Sequence, residues 1–170
     1  MDNLSEKVLT KDNYKEFYED IAFLFETFNT FYVDSGFDFG IERKATGVDF
    51  LALAKRDFED IKGKDIYGKF LYSKNKPVAY IYGFVYDGYP YLQESKVGYV
   101  DGIFVLEEFR DKGLGKGLVN DFINFCKQCD AYTVKLNVKK ENTKAKELYE
   151  KIGFRLFDYT MIINLKNKTD

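Results

Sequence analysis

Hydrophobic and polar positions recur along this chain with two different periods, and each change of period marks an element. Tyr14, Phe17, Tyr18, Ile21, Leu24, Phe25 and Phe28 follow one another at three- and four-residue steps, which is one face of an amphipathic helix. Residues 7–9 ahead of it predict a short first strand, with Thr10 and Asp12 as candidate helix caps. Residues 30–46 show no clear period and read as a long loop or broken helix. Thr46-Gly47-Val48-Asp49 has the form of a capping box, and Phe50, Ala54, Phe58 and Ile61 mark a second helix that Gly63 ends. Residues 66–73 and 78–86 read as strands joined by Lys74-Asn75-Lys76-Pro77, and after the turn residues Asp87-Gly88-Tyr89-Pro90 the run 97–105 reads as another strand. The helix that follows carries Leu118, Phe122, Phe125 and Cys126 on one face. Residues 132–138 predict a strand. Asn142 then caps a short helix with Ala145, Leu148, Tyr149 and Ile152 on one face, Gly153 stops it, and 154–165 predicts a final strand.

Composition narrows the chemistry. With 170 residues, 45% of them hydrophobic, and only 2 Pro, the chain predicts one folded domain over 1–170. The start has no basic leader, and the longest early apolar run, 21–25, is far too short to span a bilayer, so a cytoplasmic protein without a membrane partner is expected. The chain has 0 His, which excludes histidine-dependent triads, and its 2 Cys cannot build a zinc site, so no metal is expected. Cys126 and Cys129 form a Cys-x-x-Cys, but they lie inside a helix rather than at its N-terminus, where the dipole would lower a thiol pKa, so they read as buried thiols. The formal charge of −2 is unevenly spread: residues 1–65 hold 9 basic against 15 acidic side chains, residues 107–151 hold 10 against 8. An ordinary solvated surface accounts for this; so does a basic half for phosphates beside an acidic half for a cation. No basic stripe with interleaved aromatics points to nucleic acid.

The stretch from Arg110 to Gly117, between the strand 97–105 and a helix, has the chemistry of an anion site. Gly113, Gly115 and Gly117 let a ligand approach the backbone, the first helical turn offers unpaired N–H groups, and Arg110, Lys112 and Lys116 add positive charge. A Walker loop is excluded, because Arg110 stands where its first glycine belongs and Gly117 where its hydroxyl belongs. A dinucleotide fingerprint is excluded by Leu118 in place of the third glycine. What remains, Arg-x-x-Gly-x-Gly after Val105, resembles the pyrophosphate loop of the GNAT superfamily of N-acetyltransferases. Asn142, Ala145, Leu148-Tyr149 and Gly153-Phe154 resemble that family's second segment, Asn-x-x-Ala-x-x-Leu-Tyr-x-x-x-Gly-Phe, at the expected distance downstream.

The resemblance implies an α/β (mixed α+β) fold: a mixed, mostly antiparallel sheet of six to seven strands, about four flanking helices, and a splay between the fourth and fifth strands. It implies acetyl-CoA as cosubstrate, with the backbone of Ile103, Phe104 and Val105 against the pantetheine arm and the loop Arg110, Asp111, Lys112, Gly113, Leu114, Gly115, Lys116 and Gly117 around the pyrophosphate. Asn142 either contacts the cofactor or caps its helix. Tyr149 matches the family's usual general acid, although its stripe also fits a packed aromatic, and Asp101 stands where many relatives carry a glutamate base one methylene longer. Asp101 equally fits a residue that ties down its strand. The implied function is acetyl transfer to a primary amine of a small cationic acceptor, such as an aminoglycoside, polyamine or amino sugar, by direct attack in a ternary complex. An acyl-CoA-binding regulatory module and a protein or peptide N-acetyltransferase are the alternatives, and the resemblance leaves room for a homodimer.

Overall fold

The computed structural model describes residues 4–34, 47–91 and 95–161. Its centre is a sheet of five strands in sequence order: β1 (Ser5–Thr10), β2 (Asp65–Ser73), β3 (Lys76–Asp87), β4 (Lys96–Val105) and β5 (Thr133–Leu136). The first three pairings are antiparallel and β4 with β5 is parallel. Hairpin β2–β3 turns on two residues, Lys74 and Asn75, both with positive φ (50° and 65°), which matches the right-handed twist of the flanking strands. Lys76 and Pro77, expected in the turn, already belong to β3; Pro77 sits opposite Tyr72 at a register shift, where a missing N–H is tolerated.

Helices α1 (Tyr18–Asp34), with a 3-10 turn at Tyr14–Phe17 before it, and α2 (Phe50–Ile61) cover one face of the sheet. Helices α3 (Leu114–Gln128) and α4 (Thr143–Ile152) belong to the other. Each face buries its own apolar cluster. Ile21, Leu24, Phe58, Phe70 and Tyr82 lie in the first and Ile81, Val100, Leu118, Val119 and Phe122 in the second. Asp49 caps α2 by accepting from the Ala52 N–H at 2.9 Å, and Gly63 leaves its end at φ +89°, as the pattern predicts. The cap ahead of the first helix differs: Asn13 rather than Thr10 or Asp12 holds the corner, accepting from the Thr10 N–H at 2.8 Å and donating to the Val8 carbonyl at 3.0 Å. A two-headed amide serves both directions of the turn.

Three expectations change. The helix pattern continues through 30–34 as part of α1, and the rest of the predicted loop, 35–46, lies outside the described residues. Strand 132–138 shortens to four paired residues. The sheet has five strands rather than six to seven, because 154–161 pairs with nothing among the described residues and leaves Phe157 and Met161 87% and 92% exposed, while 162–165 lies outside them. Cys126 is buried against Gly98 and its thiol is pushed up to about 12, first by burial, which fits a packing role. Among the described residues no helix is long and apolar enough to cross a membrane.

Candidate acyl-transfer site

Strand β4 is irregular where the chemistry is expected. Tyr82 is opposite Gly102 and Gly83 is opposite Val100, so Asp101 is an extra residue in the ladder, a β-bulge. One inserted residue inverts the alternation of faces. Val100 points to the α3 side, Asp101 and Gly102 both fall on the α1–α2 side, and Phe104 is buried there beyond them. Gly102 is required by this packing: a Cβ there would lie 2.5 Å from Tyr82 Cε1 and 2.9 Å from Tyr80 Cε2.

The same bulge ends the pairing with β5. The last matched pair is Val100 with Leu136, while β4 runs on to Val105 against β3, so one edge of β4 from Asp101 onward is unpaired with β5. This is the expected splay between the fourth and fifth strands. Its open groups follow from the alternation of antiparallel pairs. The Leu106 N–H donates to the Val78 carbonyl at 2.9 Å, which makes that a hydrogen-bonded pair and Phe104 with Tyr80 the next one. Ile103 and Val105 then turn their N–H and C=O groups away from β3 and into the splay, whereas the Phe104 backbone is turned toward β3. The Val105 carbonyl accepts from Arg110 Nε at 2.9 Å. The Arg110 guanidinium lies 5.5 Å from the centre of the Phe104 ring. Arg110 thus ties the loop to the strand end.

Beyond a 3-10 turn (Glu107–Phe109) the loop bends twice through left-handed backbone, at Asp111 (φ 60°) and at Gly113 (φ 79°, ψ 0°), the residue before α3. No side chain caps α3, and its first backbone bond to the loop is Gly117 N–H to Gly113 C=O at 3.0 Å. The N–H groups of Leu114, Gly115 and Lys116 accordingly keep the donor capacity of a helix start, with the positive end of the helix dipole behind them. The three glycines differ in what they do. Gly113 supplies the left-handed turn, Gly115 lies under α4, where a Cβ would come within 3.3 Å of Leu148 Cδ2, and Gly117 faces open space. Lys112 sits 5.1 Å from the centre of the Phe109 ring.

Asn142 caps α4, its Oδ1 accepting from the Ala145 N–H at 3.3 Å. Tyr149 is buried in the α3-side cluster with its ring edge-on to Phe154 at 5.9 Å, so the packed-aromatic half of its reading is realised in the fold. On the opposite face Asp101 is reached by solvent yet walled by protein, and burial raises its carboxyl above the ordinary aspartate range, with Tyr82 and Lys64 partly offsetting this. Two neighbouring side chains join it, of which the pattern did not single out Asp57. Tyr82, buried to 2% exposure, donates its hydroxyl to Asp57 Oδ2 at 3.1 Å and also lies within hydrogen-bonding reach of Asp101. Asp57 is raised first by burial and then by the negative charge of Asp101. The signal was present in the sequence: Ala54, Asp57, Phe58 and Ile61 share one stripe of α2, and a carboxylate inside an apolar stripe has to find a polar partner. Among the described residues no group of three or more acidic or cysteine side chains is arranged to hold a metal ion.

Against known proteins, residues 22–154 match the model of the Acetyltransferase (GNAT) family. An uncharacterised N-acetyltransferase of Methanocaldococcus jannaschii is 35% identical over 63 residues, 37% of this chain and 28% of that protein, so the chain spans under a third of that relative's length. A predicted acetyltransferase with acetyl-CoA from Clostridium acetobutylicum superposes with a TM-score of 0.66 at 14% identity, covering 95% of this chain and 96% of that one. The aminoglycoside N-acetyltransferase AAC(6')-Iy, in complex with a bisubstrate analogue of CoA and acetylneamine, gives a TM-score of 0.66 at 15% identity over 95% and 97% of the two chains. At such identities these likenesses establish the fold.

Proposed function

The chain belongs to the acetyltransferase (GNAT) family, and from that premise we propose that it acetylates a primary amine of a small cationic acceptor, with acetyl-CoA as donor and direct attack in a ternary complex. The donor supplies an acetyl group on a thioester, whose carbonyl carbon the amine nitrogen attacks while the coenzyme A sulfur departs. The observation that carries the reading is the coincidence, along one strand, of three features: the Asp101 bulge, the unpaired Ile103–Val105 edge, and the glycine loop that opens α3.

Each feature has a task that suits its physics. The N–H groups at Ile103 and Val105 and the free carbonyl of Ile103 accept an extended amide-bearing arm as an added strand, and an N–H aimed into the splay stabilises negative charge developing on the thioester oxygen. The first turn of α3 holds the pyrophosphate through backbone donors, with Lys112 and Lys116 supplying screened charge. Asp101 attracts the ammonium form of the acceptor and takes its proton. An amine with a reference pKa near ~10.4 is almost wholly protonated at neutral pH, and a walled carboxylate with a raised pKa narrows the gap it must bridge. Tyr149 returns a proton to the departing sulfur, for which a phenol, protonated at neutral pH, is suited.

A panel of diamines, amino sugars and aminoglycosides, assayed for free thiol released from acetyl-CoA, tests the proposal. Turnover with a small cationic amine supports it. Coenzyme A binding with no thiol release for any amine would replace it with an acyl-CoA-binding regulatory module, and turnover confined to peptides would replace the acceptor class.

A further inference from the structure

Asp57, Tyr82 and Asp101 pose a counting problem. A phenol has one hydrogen to donate, and two ionised carboxylates stand ready to accept it. The Tyr82 hydroxyl lies 3.1 Å from Asp57 Oδ2 and within hydrogen-bonding reach of Asp101 as well, so one hydrogen is contested by both. Among the described residues neither carboxylate has a Lys or Arg nitrogen within 4.0 Å; Lys64, whose charge acts on Asp101, places its amine 4.0 Å from the centre of the Phe84 ring instead. Packing prevents the phenol from swinging away. Its ring is stacked on Tyr80 at 5.7 Å, tilted against Phe58 at 6.0 Å, and pressed by the Gly102 backbone.

We propose that Asp57 and Tyr82 are positioning residues for Asp101: Asp57 competes with Asp101 for the single phenolic hydrogen, and Asp101, left with only a share of that donor, is the partner that accepts a proton from the acceptor amine. The inference rests on Asp101 serving as the base. It gives a reason for a buried tyrosine and a carboxylate inside an apolar helix stripe. When Asp101 becomes neutral on taking the proton, the repulsion between the two carboxylates disappears, so Asp57 favours the protonated form of Asp101 through charge. The other groups around the trio are Arg56 and Asp60 on α2, Lys64 after it, Tyr80, Tyr99 and Tyr86 on the sheet, and Tyr14 and Tyr18 before and on α1, which pack on Phe58. The pair titrates as a unit, and substitutions at the two positioning residues move it in opposite directions.

The test is a 13C NMR titration of the Asp101 carboxyl in the full chain, its resonance assigned by its loss in Asp101→Asn, run beside pH profiles of kcat/KM. Asp57→Asn removes the like charge and frees the phenol to donate to Asp101, so the Asp101 midpoint should fall by about one unit, the size expected for neighbouring charges in a partly screened site. Tyr82→Phe removes the donor that the two carboxylates share, so the midpoint should rise, and the acid limb of kcat/KM should follow in each case. A role in packing alone would lower activity or melting temperature without shifting either midpoint. An Asp101 midpoint unmoved to within about 0.3 unit in Asp57→Asn overturns the proposal, and that variant decides the matter by itself if Tyr82→Phe does not fold. If Asp101→Asn retains full kcat/KM, the base assignment fails while the NMR midpoints still report whether the three groups are coupled.

Discussion

The loop glycines predict a pair of single substitutions with opposite outcomes. Gly113 sits at φ 79°, ψ 0°, and a Cβ there meets no atom within 4 Å, so the cost of Gly113→Ala is conformational alone. An L-residue in left-handed backbone costs roughly 1–2 kcal/mol, and the reduced freedom of the unfolded alanine chain returns about 0.4–1 kcal/mol, leaving a loss of about 1 kcal/mol. For a chain of 170 residues that is a fall in Tm of about 2–4 °C. Gly117 also faces open space, but it lies in the helical turn with its N–H already bonded to the Gly113 carbonyl. Gly117→Ala therefore gains about 0.8–1 kcal/mol of helix propensity and should raise Tm by a similar 2–4 °C. Calorimetry with coenzyme A supplies the second axis. If the Gly113→Ala loop relaxes to escape strain, its N–H groups turn from the anion and affinity drops about fivefold or more per kcal/mol; if it does not relax, Tm drops. Scanning calorimetry and titration of both variants measure these outcomes. A Gly113→Ala protein with wild-type Tm and wild-type affinity refutes the reasoning, as does Gly117→Ala melting below wild type without ligand.

Other consequences can be measured on the same footing. Tyr149→Phe should lower kcat by roughly a hundred- to ten-thousand-fold with coenzyme A affinity within about twofold, read by steady-state kinetics and calorimetry; a kcat within about threefold of wild type, with chemistry rate-limiting, leaves Tyr149 as packing only. Asp101→Asn should reduce kcat/KM for amines, with the deficit shrinking from pH 6 to about 9.5 as neutral amine becomes abundant, and a flat deficit removes Asp101 as the base. The folded-state pKa values of Asp57 and Asp101 are raised, so between the ordinary aspartate value and the raised one the native state binds more protons and stability falls as pH rises. Each Asp→Asn variant should then melt no lower than wild type at pH 7 by scanning calorimetry, and lower melting assigns that residue a structural role. Gly102→Ala, whose Cβ would meet Tyr82 at 2.5 Å, should lose roughly 1–3 kcal/mol in urea unfolding, and unchanged stability shows that the Tyr80–Tyr82 stack can yield.

How much could be read beforehand depended on whether the signal was local. Caps and stops are local, and Asp49, Gly63, Asn142 and Gly153 occupy the positions that their side chains or lack of one dictate. The glycine loop is local as well, and its place between β4 and α3 follows from the change of period on either side. Roles set by tertiary packing were less legible. Spacing treats Gly113, Gly115 and Gly117 alike, yet one supplies backbone freedom, one lies under α4 and one faces open space. Spacing places Arg110 at the start of the loop but does not show that its Nε donates to the Val105 carbonyl, a contact available only once the loop has folded back on its strand.

The bulge at Asp101 lay furthest beyond reach, because a strand pattern assumes strict alternation and a single inserted residue leaves no mark on composition. Its effects are nevertheless concentrated at the proposed acyl-transfer site. Alternation from Tyr99 and Val100 puts Asp101 on the side where Asp57 and Tyr82 stand, and by reversing the faces beyond it the bulge returns the side chains of Ile103 and Val105 to the α3 cluster. It also stops the β5 ladder at Val100, and the backbone groups that a continuous ladder would have satisfied are left facing the splay. An edge strand with unsatisfied N–H and C=O groups is a liability in a stable domain unless something else occupies it. Here the liability and the proposed function share one cause. The residue that breaks the pairing also carries the carboxylate, so the proposed proton acceptor and the open backbone edge are held in fixed relation by a single irregularity of β4.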